Sequence, residues 1–236
     1  MAGGTIHCYL DIASLYSYLA YLDLLKNRPL LASHGVEVKF HPVFLGGINH
    51  KSGNKPPWTL PAKARYGTFD ANRSIARFPG LSLQFPSDLM KVGMTVLPLR
   101  TLHYVQSHHS PEVFEATLLY LFQKFWTPPN VDLTSPQNLA QALSEVPGPE
   151  GKGKQFAEEE VKKIMAATGT KEVKDRLTNT TQEALDRGAF GAPWLWVVDE
   201  NGKGEPFFGS DRFRYVYKFL GLPYREVELL PKGSKL

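Results

Sequence analysis

Pro193 directly precedes a predicted apolar strand, Trp194-Leu195-Trp196-Val197. The segment before this strand is rich in glycine and reads Gly188-Ala189-Phe190-Gly191-Ala192. Proline cannot donate a ladder hydrogen bond, and it is the residue type that tolerates a cis peptide bond. If the Ala192–Pro193 bond is cis, the main chain of Ala192 turns outward and leaves its N–H and C=O unpaired. The sequence therefore predicts that an extended peptide docks at Ala192 as an additional strand.

A second polar feature, Ser210-Asp211, follows the next short strand and opens a predicted helix over 211–220. A helix start presents unpaired N–H groups, and Asp211 adds a carboxylate beside them. Together these groups suit the carboxylate and the ammonium of a free α-amino acid end. A peptide main chain at Ala192 and an amino acid head at Ser210 and Asp211 indicate a small peptide, such as glutathione, as the ligand.

The apolar patterns at the start of the chain predict the elements that position these residues. Residues 5–10 form a buried strand, and Ser14 is the N-cap of the helix that follows. Pro29 is expected to interrupt this helix near its end. Residues 36–44 alternate as a second strand, which is parallel to the first if the helix is a crossover.

Helical patterns replace strand patterns through the middle of the chain. After a predicted loop over 51–57, prolines and glycines separate helical segments over 61–78, 97–109, 111–126, 136–146, 156–168 and 171–187. Strands return only over 194–198 and 205–208, before the closing helix.

Without its helical middle, the chain has the order β-α-β followed by β-β-α, which is a thioredoxin-like arrangement. The predicted fold class is therefore α/β, with a large all-helical insertion in a thioredoxin-like domain. The thioredoxin-like, ligand-binding domain is discontinuous and takes residues 1–60 and 181–236, and the helical insertion takes residues 61–180.

Composition and charge exclude several classes of protein. No apolar run approaches the roughly 20 residues that a membrane helix needs. The formal net charge of +4 is small and its basic residues are dispersed, so no nucleic-acid partner is expected, although this charge suits anionic small substrates. A single cysteine, Cys8, excludes an intrachain disulfide and a Cys-x-x-Cys centre. No acid or cysteine stands at metal-ligand spacing from the pair His108-His109, so no metal is expected.

The last three residues, Ser234-Lys235-Leu236, match the peroxisomal address that an import receptor reads. Pro231-Lys232-Gly233 precedes them and is expected to keep this tripeptide extended and accessible. The sequence therefore predicts a peroxisomal protein that the peroxisomal import receptor recognises, with the mitochondrion and the cytosol as alternatives.

Four segments of the chain together resemble kappa-class glutathione transferases, a branch of the thioredoxin-like superfamily related to disulfide oxidoreductases of the DsbA kind. These segments are 9–17, 52–57, 188–193 and 208–212, and they occur in the family's order from end to end of the chain. The resemblance implies a DsbA-like helical insertion and a homodimer. One departure is Leu15, because the family often has proline directly after its active serine.

The resemblance also implies a role for each residue of a glutathione site. Ser14 occupies the helix start where disulfide oxidoreductases place their nucleophilic cysteine, so its hydroxyl would donate a hydrogen bond to the glutathione thiolate. The helix N-terminus favours the same negative charge. A serine before an apolar helix is most often only an N-cap, but the pairing with Pro193 and the order of the four segments favour the functional role. The peptide itself would be bound at Asn54, Lys63, Ala192, Pro193, Ser210 and Asp211.

Aromatic side chains in or near the helical insertion have two interpretations. Trp58, Phe69 and Phe78 could form an apolar wall for a second substrate, but their helical spacing favours positions in the core. Tyr16, within a turn of Ser14, could likewise line the acceptor side, and packing is the favoured interpretation.

The favoured function is a glutathione transferase that activates the glutathione thiolate for attack on small electrophilic substrates, with reduction of organic or lipid hydroperoxides as a further activity. One alternative is a glutathione-dependent isomerase of the 2-hydroxychromene-2-carboxylate type, which releases glutathione at the end. Another is a non-catalytic glutathione-binding protein, which the Leu15 departure motivates. A dithiol–disulfide oxidoreductase is excluded, because Cys8 has no partner cysteine.

Overall fold

The computed structural model describes residues 3–226. They form a four-stranded sheet with helices on both faces. The strands are β1 (Gly4–Leu10), β2 (Val36–Pro42), β3 (Trp194–Asp199) and β4 (Gly204–Phe208). The helices are α1 (Leu15–Ser33), α2 (Leu45–Ser52), α3 (Pro61–Ile75), α4 (Leu89–Val92), α5 (Val96–His108), α6 (Pro111–Trp126), α7 (Pro136–Ser144), α8 (Glu158–Ala167), α9 (Lys171–Asp186) and α10 (Phe213–Phe219).

The sheet has the strand order β2-β1-β3-β4. As predicted, β1 and β2 are parallel, because α1 crosses over between them. The strand β3 is antiparallel to β1, and β4 is antiparallel to β3, with Trp196 opposite Pro206. This order confirms the α/β, thioredoxin-like fold with a helical insertion. It also makes β4 an edge strand, where proline is tolerated.

Alternation along β1 places different side chains on the two faces of the sheet. Ile6, Cys8 and Leu10 are fully buried in the main apolar core, which α1 and the helical segment complete. Burial raises the pKa of the Cys8 thiol, so this lone cysteine is an inert core residue. On the other face, the Tyr9 hydroxyl donates a hydrogen bond at 2.9 Å to Glu183 of α9. Helix α9 therefore covers the second face of the sheet.

The main helices lie close to the predicted segments, but three local predictions are wrong. Pro29 does not interrupt α1, because it lies on the exposed side, where the hydrogen bond it removes can be replaced by water. Helix α2 occupies part of the predicted loop and extends to Ser52. The last helix begins at Phe213 rather than at Asp211.

The predicted boundary between residues 180 and 181 falls inside the continuous helix α9. The division into a thioredoxin-like domain and a helical insertion at those residues stays a prediction. Within residues 3–226, no helix is long and apolar enough to cross a membrane. The tripeptide Ser234-Lys235-Leu236 lies outside the described residues.

Candidate functional site

Ser14 is the N-cap of α1, as predicted, and it is almost completely buried. Its hydroxyl oxygen accepts a hydrogen bond from the Ser17 N–H at 3.1 Å, which satisfies one of the free amides of the first helical turn. The same hydroxyl donates to the carbonyl oxygen of Ala192 at 2.9 Å. The structure therefore places the candidate thiolate-stabilising serine directly against the candidate peptide-docking segment.

The Ala192–Pro193 peptide bond is cis, as the sequence prediction required. The expectation that both main-chain groups of Ala192 are unpaired is only half met. The Ala192 carbonyl already accepts the Ser14 hydroxyl, because the start of α1 lies against this segment. Within residues 3–226, no protein group accepts a hydrogen bond from the Ala192 N–H. The Pro193 carbonyl accepts the N–H of Gly209 at 3.2 Å, which joins this segment to the Ser210 turn.

Ser210 and Asp211 lie in a turn that precedes α10 by two residues, so they do not present a helix N-terminus. Ser210 is buried, and its carbonyl oxygen accepts a hydrogen bond from Arg77 at 3.1 Å. Asp211 is exposed, and its carboxylate pairs with the adjacent Arg212. The turn thus offers a carboxylate at the surface rather than a set of free helix amides.

Asn54 and Lys63 have different environments. The amide of Asn54 donates a hydrogen bond at 2.7 Å to the carbonyl oxygen of Phe190, so it holds the loop after α2 against the glycine-rich segment. Gly53 allows this approach, because it ends α2 with a φ of 74°. Lys63 is exposed on α3 and has no ion-pair partner within residues 3–226. Its ammonium is therefore available to an anionic group.

Tyr16 connects the first turn of α1 to α3. Its hydroxyl donates a hydrogen bond at 2.6 Å to Asp70. Burial raises the pKa of the Tyr16 phenol, and the hydrogen bond to Asp70 and the negative charges of Asp70 and Asp211 raise it further. Ser14 contacts Ala192 and Gly209 contacts Pro193, so the Ser14 turn and the Ser210-Asp211 turn both lie beside the cis-proline segment.

The aromatic residues near the helical segment divide between surface and core. Trp58 is 41% exposed and Phe69 is 63% exposed, whereas Phe78 packs against the core. The indole N–H of Trp58 lies 3.3 Å from the sulfur of Met90. The favoured core interpretation therefore holds for Phe78, while Trp58 and Phe69 are free to contact an apolar molecule.

Two residues in this region were not singled out by the sequence analysis. Arg77 reaches from the end of α3 both to the Ser210 carbonyl and to Asp23 of α1. Asp11 is fully buried directly after β1, and burial raises the pKa of its carboxyl group to about 6 against three hydrogen bonds that favour the charged form. The available sequence signal was a charged residue at the end of a buried strand, three positions before Ser14.

The fold and the position of Ser14 define a thioredoxin-like protein that carries serine at the start of its first helix. Residues 5–221 match the DSBA-like thioredoxin domain, and the chain belongs to this family. It is 29% identical over 220 residues to glutathione S-transferase kappa 1 of Homo sapiens, covering 92% of this chain and 91% of that protein. It is 30% identical over 219 residues to glutathione S-transferase kappa 1 of Rattus norvegicus, covering 92% and 90%. The chain is thus a distant full-length homologue of these proteins.

Solved structures with the same fold include 2-hydroxychromene-2-carboxylate isomerase, with a TM-score of 0.68, 18% identity and coverage of 92% of this chain and 94% of that chain. A probable DsbA oxidoreductase from Streptomyces coelicolor has a TM-score of 0.62, 16% identity and coverage of 97% and 94%. The cytosolic disulfide reductase DsbM of Pseudomonas aeruginosa, solved with GSH, has a TM-score of 0.53, 16% identity and coverage of 90% and 92%. These likenesses show the fold.

Proposed function

We propose that this protein is a glutathione transferase that stabilises the glutathione thiolate for attack on small electrophiles. The observation that carries the proposal is the 2.9 Å hydrogen bond between the Ser14 hydroxyl and the Ala192 carbonyl. This contact places the Ser14 hydroxyl, at the start of α1, beside the unpaired main-chain N–H of Ala192. An extended peptide that carries a thiol needs a donor of each kind, one for its main chain and one for its thiolate. The distant homology to glutathione S-transferase kappa proteins supports the same ligand.

In the proposed complex, the cysteinyl unit of glutathione pairs with Ala192 as an additional strand, with Pro193 shaping the step. The Ala192 N–H donates to the peptide carbonyl, and the Ala192 carbonyl uses its second lone pair for the peptide N–H. The Ser14 hydroxyl then turns from Ala192 to the thiolate, and the N-terminus of α1 stabilises the negative charge. Ser14 therefore serves as a hydrogen-bond donor and not as a nucleophile or a base.

The two ends of glutathione are proposed to bind on either side of this unit. Asp211 accepts hydrogen bonds from the ammonium group of the γ-glutamyl end. Ser210 donates hydrogen bonds to the α-carboxylate of the same γ-glutamyl end. Asn54 holds the loop beside the glycine-rich segment, and Lys63 pairs with a carboxylate of the peptide. The exposed faces of Trp58 and Phe69 offer apolar contact to the second substrate.

The reaction balances without a metal or an external oxidant. The thiol proton passes to solvent, the thiolate sulfur forms a bond to the electrophilic carbon, and the leaving group departs with the bonding electron pair. With a hydroperoxide, two glutathione molecules are instead oxidised to their disulfide while the hydroperoxide is reduced to an alcohol and water. Within residues 3–226, no group of three or more histidine, cysteine, aspartate or glutamate side chains is placed to hold a metal ion.

The direct test is calorimetric titration of glutathione into the wild type, Asp211→Ala and the control Asp175→Ala, which changes a half-exposed acid of α9. We expect binding that weakens only in Asp211→Ala, together with conjugation of a chlorinated nitroaromatic compound above the rate in buffer. Binding without conjugation on several electrophiles would support the non-catalytic alternative. Full recovery of free thiol after turnover of another substrate would support the isomerase. No binding to folded wild type would refute all three.

The proposed compartment is the peroxisome, with Ser234-Lys235-Leu236 as the signal for the import receptor. A fluorescent protein fused to the N-terminus should enter peroxisomes, and removal of these three residues should leave it in the cytosol. If removal of the tripeptide does not change where the fusion protein is found, the proposed address is refuted.

The family resemblance further implies a homodimer, which sedimentation of the full chain would detect.

A further inference from the structure

Asp11 joins the end of β1 to the starts of three helices. Its Oδ1 atom accepts the Ala13 N–H at 3.0 Å and the Thr95 hydroxyl at 2.6 Å. Its Oδ2 atom accepts the N–H of Leu45 at 2.7 Å. Ala13 leads into α1, Leu45 is the first residue of α2, and Thr95 is the N-cap of α5. One buried carboxylate therefore fixes three helix starts relative to the sheet.

The main chain of Asp11 holds the same turn that its side chain holds. Its carbonyl oxygen accepts the N–H of Ser14 at 3.0 Å. Its N–H lies 3.4 Å from the hydroxyl oxygen of Ser17, whose own N–H donates to Ser14. Asp11 thus contacts the Ser14 turn at three residues, Ala13, Ser14 and Ser17.

Asp11 also connects the two sides of the proposed glutathione site. The N-cap residue of α2, Phe44, makes no side-chain capping bond, so Asp11 supplies the acceptor for the first amide of that helix. At its other end, α2 leads to Asn54, which contacts the glycine-rich segment. The carboxylate therefore sets both the Ser14 turn and the helix that carries Asn54.

The burial of this carboxylate is unfavourable in itself. Burial raises the pKa of the Asp11 carboxyl group, which means that the fold disfavours its charged form. An apolar side chain would remove that penalty, but it would leave the amides of Ala13 and Leu45 without an acceptor. The benefit of Asp11 is therefore geometric.

We infer that Asp11 is a positioning residue that orients the Ser14 hydroxyl toward the glutathione thiolate, an inference that rests on the proposed function. Its amide analogue, Asp11→Asn, keeps the shape of the side chain but directs an NH₂ group at one of the three donors. Thr95→Val removes one donor and keeps the carboxylate. Both variants should disturb the turn without removing Ser14.

The test measures the pKa of the thiol of bound glutathione from the ultraviolet absorbance of its thiolate. We expect Asp11→Asn to raise this thiol pKa by about one unit, a tenfold change in the ionisation equilibrium, with a smaller rise in Thr95→Val. Loss of a nearby negative charge alone would lower the thiol pKa. A fall would therefore mean that Asp11 acts through its charge and would overturn the inference, as would no change.

Matched controls separate positioning from general loss of stability. Asp132→Asn changes a carboxylate that likewise binds an N–H and a hydroxyl, both of Thr134, in the helical segment. Thr101→Val removes a buried hydroxyl of α5 that bonds only within its helix. Neither control should change the thiol pKa. If either control raises it as much as Asp11→Asn does, the inference is wrong.

If the wild type binds no glutathione, the proposed function is refuted. Amide hydrogen exchange then still tests whether Asp11 holds the Ser14 turn. In the free protein, Asp11→Asn should speed exchange over residues 12–17 and 45–48 relative to the wild type and Asp132→Asn. Unchanged exchange over 12–17 would overturn the positioning role.

Discussion

The hydroxyl oxygen of Ser14 lies 2.9 Å from the carbonyl oxygen of Ala192, although 178 positions separate the two residues in the chain. A hydroxyl group has a single hydrogen, so Ser14 cannot donate to Ala192 and to a thiolate at the same time. In the proposed complex the peptide N–H gives the Ala192 carbonyl a second donor, and the Ser14 hydroxyl turns to the thiolate. The proposed ligand and Ser14 therefore meet at one main-chain atom.

The first prediction concerns the Ser14 hydroxyl. Ser14→Ala should lower the rate of glutathione conjugation by a factor of about 10 to 100, because the thiolate loses a charge-assisted hydrogen bond. It should also destabilise the fold by about 1 kcal/mol through loss of the N-cap. Steady-state kinetics and urea unfolding measure the two effects.

Ser135→Ala is the matched control, since Ser135 caps α7 with a similar hydrogen bond, to the N–H of Asn138. It should destabilise the protein similarly and leave conjugation unchanged. Equal conjugation rates in Ser14→Ala and the wild type would show that Ser14 is a structural cap alone.

The second prediction concerns Arg77, which holds the Ser210 turn. Arg77→Met should weaken glutathione binding several-fold, because the turn that carries Asp211 loses its contact with α3 and α1. Calorimetry measures the dissociation constant. Arg176→Met removes an exposed arginine that pairs within α9, and it should bind glutathione as the wild type does. Equal affinity in Arg77→Met and Arg176→Met would contradict the role of Arg77.

The third prediction concerns acid stability and His41. Burial, together with smaller contributions from the nearby His7, Arg187, His103 and Lys39, lowers the pKa of His41 to about 3. As the pH falls below 6.5, the unfolded chain binds a proton at His41 that the folded protein does not bind until about pH 3. The stability present above pH 6.5 is therefore lost as the pH falls toward 3. The free energy of unfolding should thus decrease by up to about 3 kcal/mol between pH 6.5 and 4 on account of His41.

His41→Gln should remove this component, because glutamine does not titrate. His50→Gln, at an exposed position near the end of α2, should keep the wild-type acid dependence. Urea unfolding at several pH values makes the comparison. The explanation fails if His41→Gln and the wild type lose the same stability over this range.

The fourth prediction has the opposite sign and concerns Asp11. Its pKa is raised from 3.8 to about 6, so it contributes stability that is present below pH 3.8 and is lost as the pH rises through 6. The difference amounts to about 3 kcal/mol at pH 7. Relative to Asp132→Asn, Asp11→Asn should lack this decline between pH 4 and 7 in urea unfolding. An identical decline in both variants would contradict the assignment to Asp11.

Local features of the fold could be predicted from the sequence because they depend on neighbouring residues. The cap at Ser14 and the alternation along β1 are both set within a few positions. The exact start of the last helix could not, because Ser210-Asp211 satisfies the local pattern of a cap while Arg77 and Gly209 hold it in a turn. Tertiary contacts decided between two conformations that the local pattern allows.

The candidate site, like the fold, could be predicted from the sequence only in part. The types of Ser14, Ala192 and Asp211 could be chosen from the sequence and the family resemblance, but their hydrogen bonds could not. The three partners of Asp11 come from residues 2, 34 and 84 positions away. No periodic pattern links such positions, because a buried carboxylate is placed by how separate elements pack and not by its own neighbours.

Pro206 lies within the edge strand β4, opposite Trp196. Since proline carries no N–H, the free edge of the sheet lacks a donor in the middle of this short strand. Glu205 beside it adds a charged side chain. A strand from another molecule could not form a continuous ladder there, so this edge is guarded against the edge-to-edge association that leads to aggregation.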